Sequence, residues 1–218
     1  MQIHALTFSE TVCNTYVLDD ENGHAVLVDP GYGERDAIVT FLEKHKLELD
    51  AILITHGHYD HIRGLSSLIA HFPKAAVYMH IKEIPFLSDP RLNCSYMDSK
   101  IEPVAIDAQP IPVEDGDVLH LLGQKVNVVH TPFHTHGSVC YYLPEERLVF
   151  TGDTLFMNSI GRSDLLTSSP RTIIASLAKI KSLPSETRVY PGHGKATTIE
   201  REMRFNTFLR KEYIPNGR

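Results

Sequence analysis

The 218-residue sequence has few cysteines and no long apolar stretch, and both features limit the cellular compartments in which the protein is expected. Its three cysteines, Cys13, Cys94 and Cys140, are odd in number and form no C-x-x-C pair, so no disulfide framework is expected. No apolar run approaches the roughly 20 residues that a membrane helix needs. The first residues also lack the basic segment and apolar stretch of a secretory leader. The sequence therefore predicts a cytoplasmic protein without a membrane partner.

The sequence also has fewer basic residues than acidic ones. Lys and Arg total 21 against 27 Asp and Glu, which gives a net charge of -6. Because nucleic acids and anionic membranes attract basic surfaces, we expect a small-molecule substrate and no nucleic-acid partner. No linker-like tract or charge run divides the chain, and residues 1–218 are expected to form one domain. The sequence leaves the oligomeric state open.

What the sequence does contain is an alternation of strand and helix patterns. Short apolar or β-branched runs predict strands, and apolar residues at helical spacing predict helices. The predicted strands are 3–8, 12–18, 25–29, 51–54, 75–79, 118–121, 125–129, 138–142, 148–150 and 188–190. The predicted helices are 34–45, 65–72, 81–87, 172–180 and 199–210, and residues 88–103 are predicted to be a long loop. This pattern indicates a mixed α/β protein with two β-rich halves.

The segment AILITHGHYDHIRG, residues 51–64, carries the strongest chemical signal. A buried strand ends at residue 54, and His56, His58, Asp60 and His61 follow within six residues. Neutral imidazole and carboxylate groups suit divalent transition metals, and Gly57 permits a tight turn among them. A single His after a strand would more often be an exposed loop residue. Four such side chains in one turn predict metal ligands.

The spacing His-x-His-x-Asp-His resembles the signature of the metallo-β-lactamase fold superfamily. Matching segments follow in the family's order: His134 in HTPFHTHGS, Asp153 in FTGDTLF and His193 in YPGHG. The resemblance implies a four-layer αββα sandwich of two mixed β-sheets flanked by helices. It also implies that metals bind in the groove where the two sheets meet.

The resemblance further implies two divalent metal ions and divides the ligands between them. One ion would be held by His56, His58 and His134. The other would be held by Asp60, His61 and His193, with Asp153 bridging both ions. Zinc is the expected metal, and iron or manganese remain alternatives. Asp60 is also expected to be catalytic, since it would orient the metal-bound hydroxide that attacks the substrate.

The segment Ser159-Ile160-Gly161-Arg162-Ser163-Asp164 resembles the Gly-Arg-x-Asp segment of glyoxalase II-like hydrolases. In that family a basic residue here binds the anionic end of the substrate, which assigns substrate binding to Arg162. An equally good interpretation is a loop arginine paired with Asp164. The predicted function is hydrolysis of a thioester, such as S-lactoylglutathione or a related acyl thiol, in the short bacterial branch of this family.

The sequence departs from the family pattern at several positions. Phe133 and Arg63 replace usual glycines, His136 replaces a usual proline, and Lys195 stands near a tyrosine that longer glyoxalase II enzymes use for glutathione. His130, next to the ligand segment, is predicted to be a packed residue and not a ligand.

Three other functions remain open on the sequence. A persulfide dioxygenase would use a single iron held by two His and one Asp. A phosphodiesterase or nuclease of the same superfamily would need a basic surface, which the composition does not indicate. A non-enzymatic regulatory module is disfavoured by the complete ligand set.

Overall fold

Two β-sheets of six strands each form the frame of the protein. The computed structural model describes residues 1–6, 13–31 and 35–210. The first sheet contains β1 Gln2–Leu6, β2 Thr15–Asp19, β3 His24–Val28, β4 Glu48–Ile54, β5 Ala76–His80 and β6 Ile111–Val113, in that spatial order. The second contains β7 Val118–Leu121, β8 Gln124–His130, β9 Val139–Leu143, β10 Leu148–Gly152, β11 Arg188–Pro191 and β12 Thr197–Thr198. Both sheets keep chain order across their width, so neighbouring strands are close in sequence.

Both sheets are mixed. In the first, β1, β2 and β3 are antiparallel, whereas β3 to β6 are parallel. In the second, β7 to β10 are antiparallel, β10 and β11 are parallel, and β12 runs antiparallel to β11. The turn between β2 and β3 is built by Asp20, whose Oδ1 accepts hydrogen bonds from the backbone N–H groups of Asn22 and His24. Glu21 and Gly23 adopt positive φ values in this hairpin turn.

The described part of the chain contains five α-helices and three 3₁₀ helices. They are α1 Arg35–His45, α2 Tyr59–Ile62, α3 Leu65–His71, α4 Ile173–Lys181 and α5 Ile199–Phe205, together with 3₁₀ helices at Ile81–Leu87, Ser95–Met97 and Pro170–Thr172. Among the described helices, none is both long and apolar enough to cross a bilayer.

Three apolar cores separate these layers. The first packs Ile38 of α1 and Leu65 of α3 against Ile52 and Ile54 of β4. The second lies between the sheets and includes Leu53 of β4, and the third packs α4 and α5 on the outer face of the second sheet. Alternate residues of β4 thus enter different cores, as the two-residue period of a strand requires. The expected four-layer αββα sandwich is confirmed.

Most predicted elements occur within a residue or two of their expected bounds, and a few do not. The predicted helix 199–210 ends at Phe205, because Asn206 is extended and its side chain accepts from the N–H of Phe208 and donates to the carbonyl of Ser159. The strands β6 and β12 and the short helix α2 were not predicted. The predicted loop 88–103 contains one 3₁₀ turn. The predicted element ends at residues 7–8, 12 and 34 lie outside the described residues.

Candidate metal centre

The HGHYDH segment, residues 56–61, follows the carboxyl end of β4, which is an inner strand of the first sheet. His56 and His58 lie in the turn after β4, and Asp60 and His61 lie on α2, whose N-cap is His58. Gly57 allows this turn to press against the 3₁₀ helix Ile81–Leu87, because a Cβ on Gly57 would lie 2.4 Å from Phe86 Cβ. The sharp turn therefore brings four polar side chains to the carboxyl end of β4, whose last four residues are buried.

The second sheet contributes three single residues from three separate turns. His134 lies in the turn between β8 and β9, Asp153 directly follows β10, and His193 follows β11. Gly152 has a φ of +47°, and a Cβ on it would lie 2.3 Å from Thr55 Oγ1, so only glycine permits this approach of the two sheets. The ends of β4, β10 and β11 thereby meet at one place.

The structure brings all seven predicted ligands together in three overlapping groups, within each of which the potential ligand atoms lie within 4.8 Å of one another. We name the group of His56, His58 and His134 the three-His cluster. The group of Asp60, His61 and His193 is the mixed cluster. The third group, His56, His61 and Asp153, connects them.

Contacts inside these clusters are short. His58 Nδ1 lies 2.9 Å from His134 Nε2 and 3.1 Å from His56 Nε2. In the mixed cluster, His193 Nε2 lies 3.2 Å from Asp60 Oδ2, and its Nδ1 lies 2.9 Å from Asp153 Oδ1. Several ring nitrogens and carboxylate oxygens thus point at a shared volume, as the ligands of a pair of ions do.

The chemistry of these donors fits divalent metal ions. His61 Nε2 is buried without a hydrogen-bond partner, a costly state that a coordinated ion would relieve. Burial lowers the pKa of His58 to about 3 and holds the pKa of His56 well below its usual value. These rings are therefore neutral, which is the form that binds metal. The protein has a His-rich metal site of the binuclear type.

Asp29 is a functional residue that the sequence reasoning missed. Its Oδ2 lies 2.9 Å from His61 Nδ1, and its carboxylate also accepts from the backbone N–H and hydroxyl of Thr55. The carboxylate therefore takes the Nδ1–H of His61 and leaves Nε2 facing the clusters. An acidic residue at the end of the predicted strand 25–29 was the available signal.

His134 is oriented by a main-chain group instead. Its Nδ1 donates to the carbonyl oxygen of Arg162, at 2.9 Å, so Nε2 faces the three-His cluster. Phe133 does not crowd the site, because its side chain is fully buried in the outer core. His130 stacks on His80 with ring centroids 4.3 Å apart and belongs to none of the described clusters, in line with its prediction as a packed residue. His136 is exposed and Arg63 is half-buried.

A cavity of about 420 Å³ opens over both clusters. Its lining residues are His58, Tyr59, Asp60, Cys94, Met97, Asp98, His134, Asp153, Arg162 and Leu165. Residues 88–103 supply one wall of this cavity. Arg162, which also lines the cavity, forms a two-pronged ion pair with Asp164, with Nε 2.7 Å from Oδ1 and Nη2 2.9 Å from Oδ2. Arg162 is thus paired with Asp164 and also lines the cavity, and its role in substrate binding stays a prediction.

The sequence profile of the Metallo-beta-lactamase superfamily matches residues 9–193 of the chain. The chain belongs to this superfamily. Three relatives are similar over most of the chain. An uncharacterized protein of Mycobacterium tuberculosis is 39% identical over 208 residues, covering 90% of this chain and 92% of the relative. A probable metallo-hydrolase of Bacillus subtilis is 36% identical over 197 residues, covering 90% and 92%. A hydroxyacylglutathione hydrolase of Francisella tularensis subsp. novicida is 32% identical over 193 residues, covering 88% of this chain and 68% of that enzyme.

Solved structures of other superfamily members are also similar. The BLEG-1 B3 metallo-beta-lactamase superposes with a TM-score of 0.89 at 37% identity, covering 95% of this chain and 99% of that one. The protein TTHA1623, solved in a di-iron-bound form, gives a TM-score of 0.83 at 35% identity, covering 94% and 100%. The family match and the binuclear-type site place this superfamily member among the metal-dependent hydrolases.

Proposed function

We propose that the protein hydrolyses thioesters of the acyl-glutathione type or related acyl thiols, with two zinc ions held by the seven residues of the clusters. The single observation that carries this proposal is the convergence of those residues beneath one open cavity with Arg162 on its wall. When bound at such a site, divalent ions lower the pKa of water and polarise a carbonyl oxygen. The remaining requirements of the reaction fall on side chains of this chain.

Asp60 is the proposed catalytic residue. Its carboxylate lines the cavity, accepts from His193 and retains 25% of its side-chain exposure, so it can reach both the metal site and the substrate. In this position it orients the attacking water toward the carbonyl carbon. Water adds to that carbon, the C–S bond breaks, and the products are a carboxylic acid and a thiol.

The cavity favours a leaving group that needs no proton donor. Tyr59 lines the cavity. Burial together with the nearby carboxylates raises the pKa of Tyr59 to about 12. Its hydroxyl already donates to Asp98 Oδ2, at 3.2 Å. A thiol with a pKa of about 8.5 leaves as the thiolate without help, whereas an amide nitrogen must be protonated. This supports thioesters over amides.

Arg162 is the proposed contact for a carboxylate on the substrate. The Asp164 pair uses Nε and one Nη2 hydrogen, so the edge formed by Nη1 and Nη2 still has donors for a second carboxylate. Because Asp164 already offsets much of the positive charge, the preference for anionic substrates should be moderate. The hydroxyacylglutathione hydrolase relative supports a glutathione-type thiol.

We place the reaction in the cytoplasm, with a small-molecule substrate and without nucleic-acid or membrane partners, on the strength of the net charge of -6 and the cysteine pattern.

A substrate panel combined with metal analysis tests the proposal. The panel consists of S-lactoylglutathione, a neutral acyl thioester, a β-lactam, a lactone and bis-(p-nitrophenyl) phosphate, each assayed with the zinc-loaded enzyme. We expect the highest kcat/KM for a thioester and two metal ions per chain. Preference for the phosphate diester would overturn the substrate class and leave the metal site intact. A single iron with oxygen consumption on a persulfide would overturn hydrolysis itself.

A further inference from the structure

Glu83 is a buried carboxylate that the proposed reaction does not use. It lies on the 3₁₀ helix Ile81–Leu87, after β5, and the residue has no exposed surface. Its Oε2 accepts from the backbone N–H of Gly57 at 2.8 Å, and its Oε1 accepts from the backbone N–H of Gly137 at 2.7 Å. One carboxylate therefore holds two backbone segments that are far apart in sequence.

Those two segments carry the whole three-His cluster. Gly57 stands between His56 and His58 in the turn after β4 of the first sheet. Gly137 lies three residues after His134, in the turn between β8 and β9 of the second sheet. The carboxylate thus connects the two sheets at the point where they supply this cluster.

The surrounding residues are shaped for this contact. A Cβ on Gly137 would lie 2.7 Å from both Cγ and Oε1 of Glu83, and a Cβ on Gly57 would meet Phe86 of the same 3₁₀ helix. Both turns therefore approach the helix as closely as only glycine allows. The separation between the two turns is set by the span of one carboxylate group.

Burying the carboxylate of Glu83 costs free energy, and the contacts it makes must offset that cost. Burial raises the pKa of Glu83 to about 7, whereas hydrogen bonds from Gly57, Thr135 and Gly137 oppose that rise. A buried carboxylate is tolerated where all its acceptor positions are used, and here both oxygens receive backbone donors. An apolar residue of similar size would fill the space but would leave two buried N–H groups unpaired.

We propose that Glu83 is a positioning residue that fixes His56 and His58 relative to His134 and so sets the metal affinity of the three-His cluster. The inference rests on the metal-binding part of the proposed function and is independent of the substrate. The mixed cluster has no hydrogen bond to Glu83 among the described residues, so its affinity should not depend on this carboxylate.

The test is Glu83→Gln, which keeps the size of the side chain but leaves only one acceptor oxygen. One of the two glycine N–H groups then faces an amide NH₂ and loses its acceptor. In the metal-free protein, we expect faster hydrogen exchange at the amide of Gly57 or Gly137, measured by NMR. In chelator competition with Zn²⁺ or Co²⁺, we expect one of two ions to bind about 10- to 100-fold more weakly, as changes behind a ligand typically do.

Glu202→Gln is the matched control. Glu202 is also fully buried and accepts from a backbone N–H, that of Asn158, but it lies on α5 and touches neither turn of the three-His cluster. We expect it to lower the melting temperature without selective loss of one ion. Glu83→Asp keeps two acceptor oxygens on a shorter arm and should recover part of the affinity lost in Glu83→Gln.

Equal weakening of both ions in the Glu83→Gln and Glu202→Gln variants would overturn the proposal, since general destabilisation would then explain the effect. Unchanged exchange at both glycine amides would overturn it as well. Neither measurement uses a substrate, so a wrong substrate class and a wrong role for Glu83 give different results.

Discussion

The three-His cluster and the mixed cluster differ in burial, although they lie side by side. His56, His58 and His134 have exposures of 1%, 5% and 3%. In the mixed cluster, His61 is buried, but the side chains of Asp60 and His193 are 25% and 28% exposed. One shared site thus contains a closed position and an open one, so two identical ions would experience different surroundings.

The charge around the two clusters differs in the same way. Burial holds the His58 pKa at about 3, so the three-His cluster consists of neutral rings. Around His193, burial is outweighed by the Asp153 and Asp60 carboxylates, which raise its pKa to about 9. The carboxylates behind the ligands also differ. Glu83 contacts the backbone of the three-His cluster, whereas Asp29 contacts His61 of the mixed cluster.

The largest expected effect comes from Asp153→Asn, which should weaken metal binding at both clusters. The substitution deletes a negative charge that lies 3.5 Å from His134 Nε2 and 2.9 Å from His193 Nδ1. We expect the affinity for both ions to fall by at least about 100-fold, beyond the range typical of residues behind a ligand. Metal content after dialysis and isothermal titration measure this.

Asp50→Asn is the control for that loss, because Asp50 is only half-buried and pairs only with His24 in the described contacts. It should retain two ions per chain. Retention of one ion at full affinity in Asp153→Asn would show that the carboxylate serves a single position.

A smaller and selective effect is expected from Asp29→Asn, which should weaken only the mixed cluster. The amide keeps an oxygen for one of the contacts to Thr55 and His61 but cannot satisfy all three donors. The orientation of His61 should loosen, and the ion of the mixed cluster should bind about 10- to 100-fold more weakly. Co²⁺ titration followed by visible absorption resolves the two binding steps.

The contrast with Glu83→Gln makes this prediction decisive. The two variants should weaken different ions, and each should leave the other ion near its normal affinity. If both variants weaken the same ion, the assignment of supports to clusters is wrong.

The smallest effect is expected outside both clusters, at the cavity wall. Arg162→Ala should raise KM for a carboxylate-bearing thioester by about two- to fivefold, the range of an exposed ion pair, with little change in kcat. A remote contact of this kind is equally strong in the ground state and the transition state. Steady-state kinetics with anionic and neutral thioesters measure the difference.

Asp164→Asn is the matched variant, since it should free the guanidinium and lower KM for the anionic substrate. Neither variant should change the metal content. A collapse of kcat alone in Arg162→Ala would instead implicate the main-chain contact between Arg162 and His134.

The contiguous part of the site could be predicted from the sequence, because His56, His58, Asp60 and His61 are neighbours in one turn. The distant ligands and the layer order came from resemblance to a family, since periodicity alone indicated only a mixed α/β protein. Asp29 and Glu83 had no comparable signal. Glu83 is 26 residues from Gly57 and 54 from Gly137, so their contacts exist only after both sheets have formed.

The short edge strands were missed for a local reason. Ile111–Val113 contains a proline, and Thr197–Thr198 is too short to show alternation. Both become strands through pairing at a sheet edge or with β11, and proline is tolerated at an edge because it need not donate there. Helix α5 ended early because Asn206 competes for the backbone, which helical periodicity does not reveal.

The spacing of the ligands along the chain also governs when the site can be completed during synthesis. A ribosome that has passed His61 has made four of the seven predicted ligands, but His134 comes 73 residues later and His193 another 59. At about 5–20 residues per second, those 132 residues take roughly 7 to 26 s. Throughout that interval at least one ligand from the second sheet is still missing. Loading of both ions must therefore follow synthesis of His193, and folding of the second sheet is the step that precedes it.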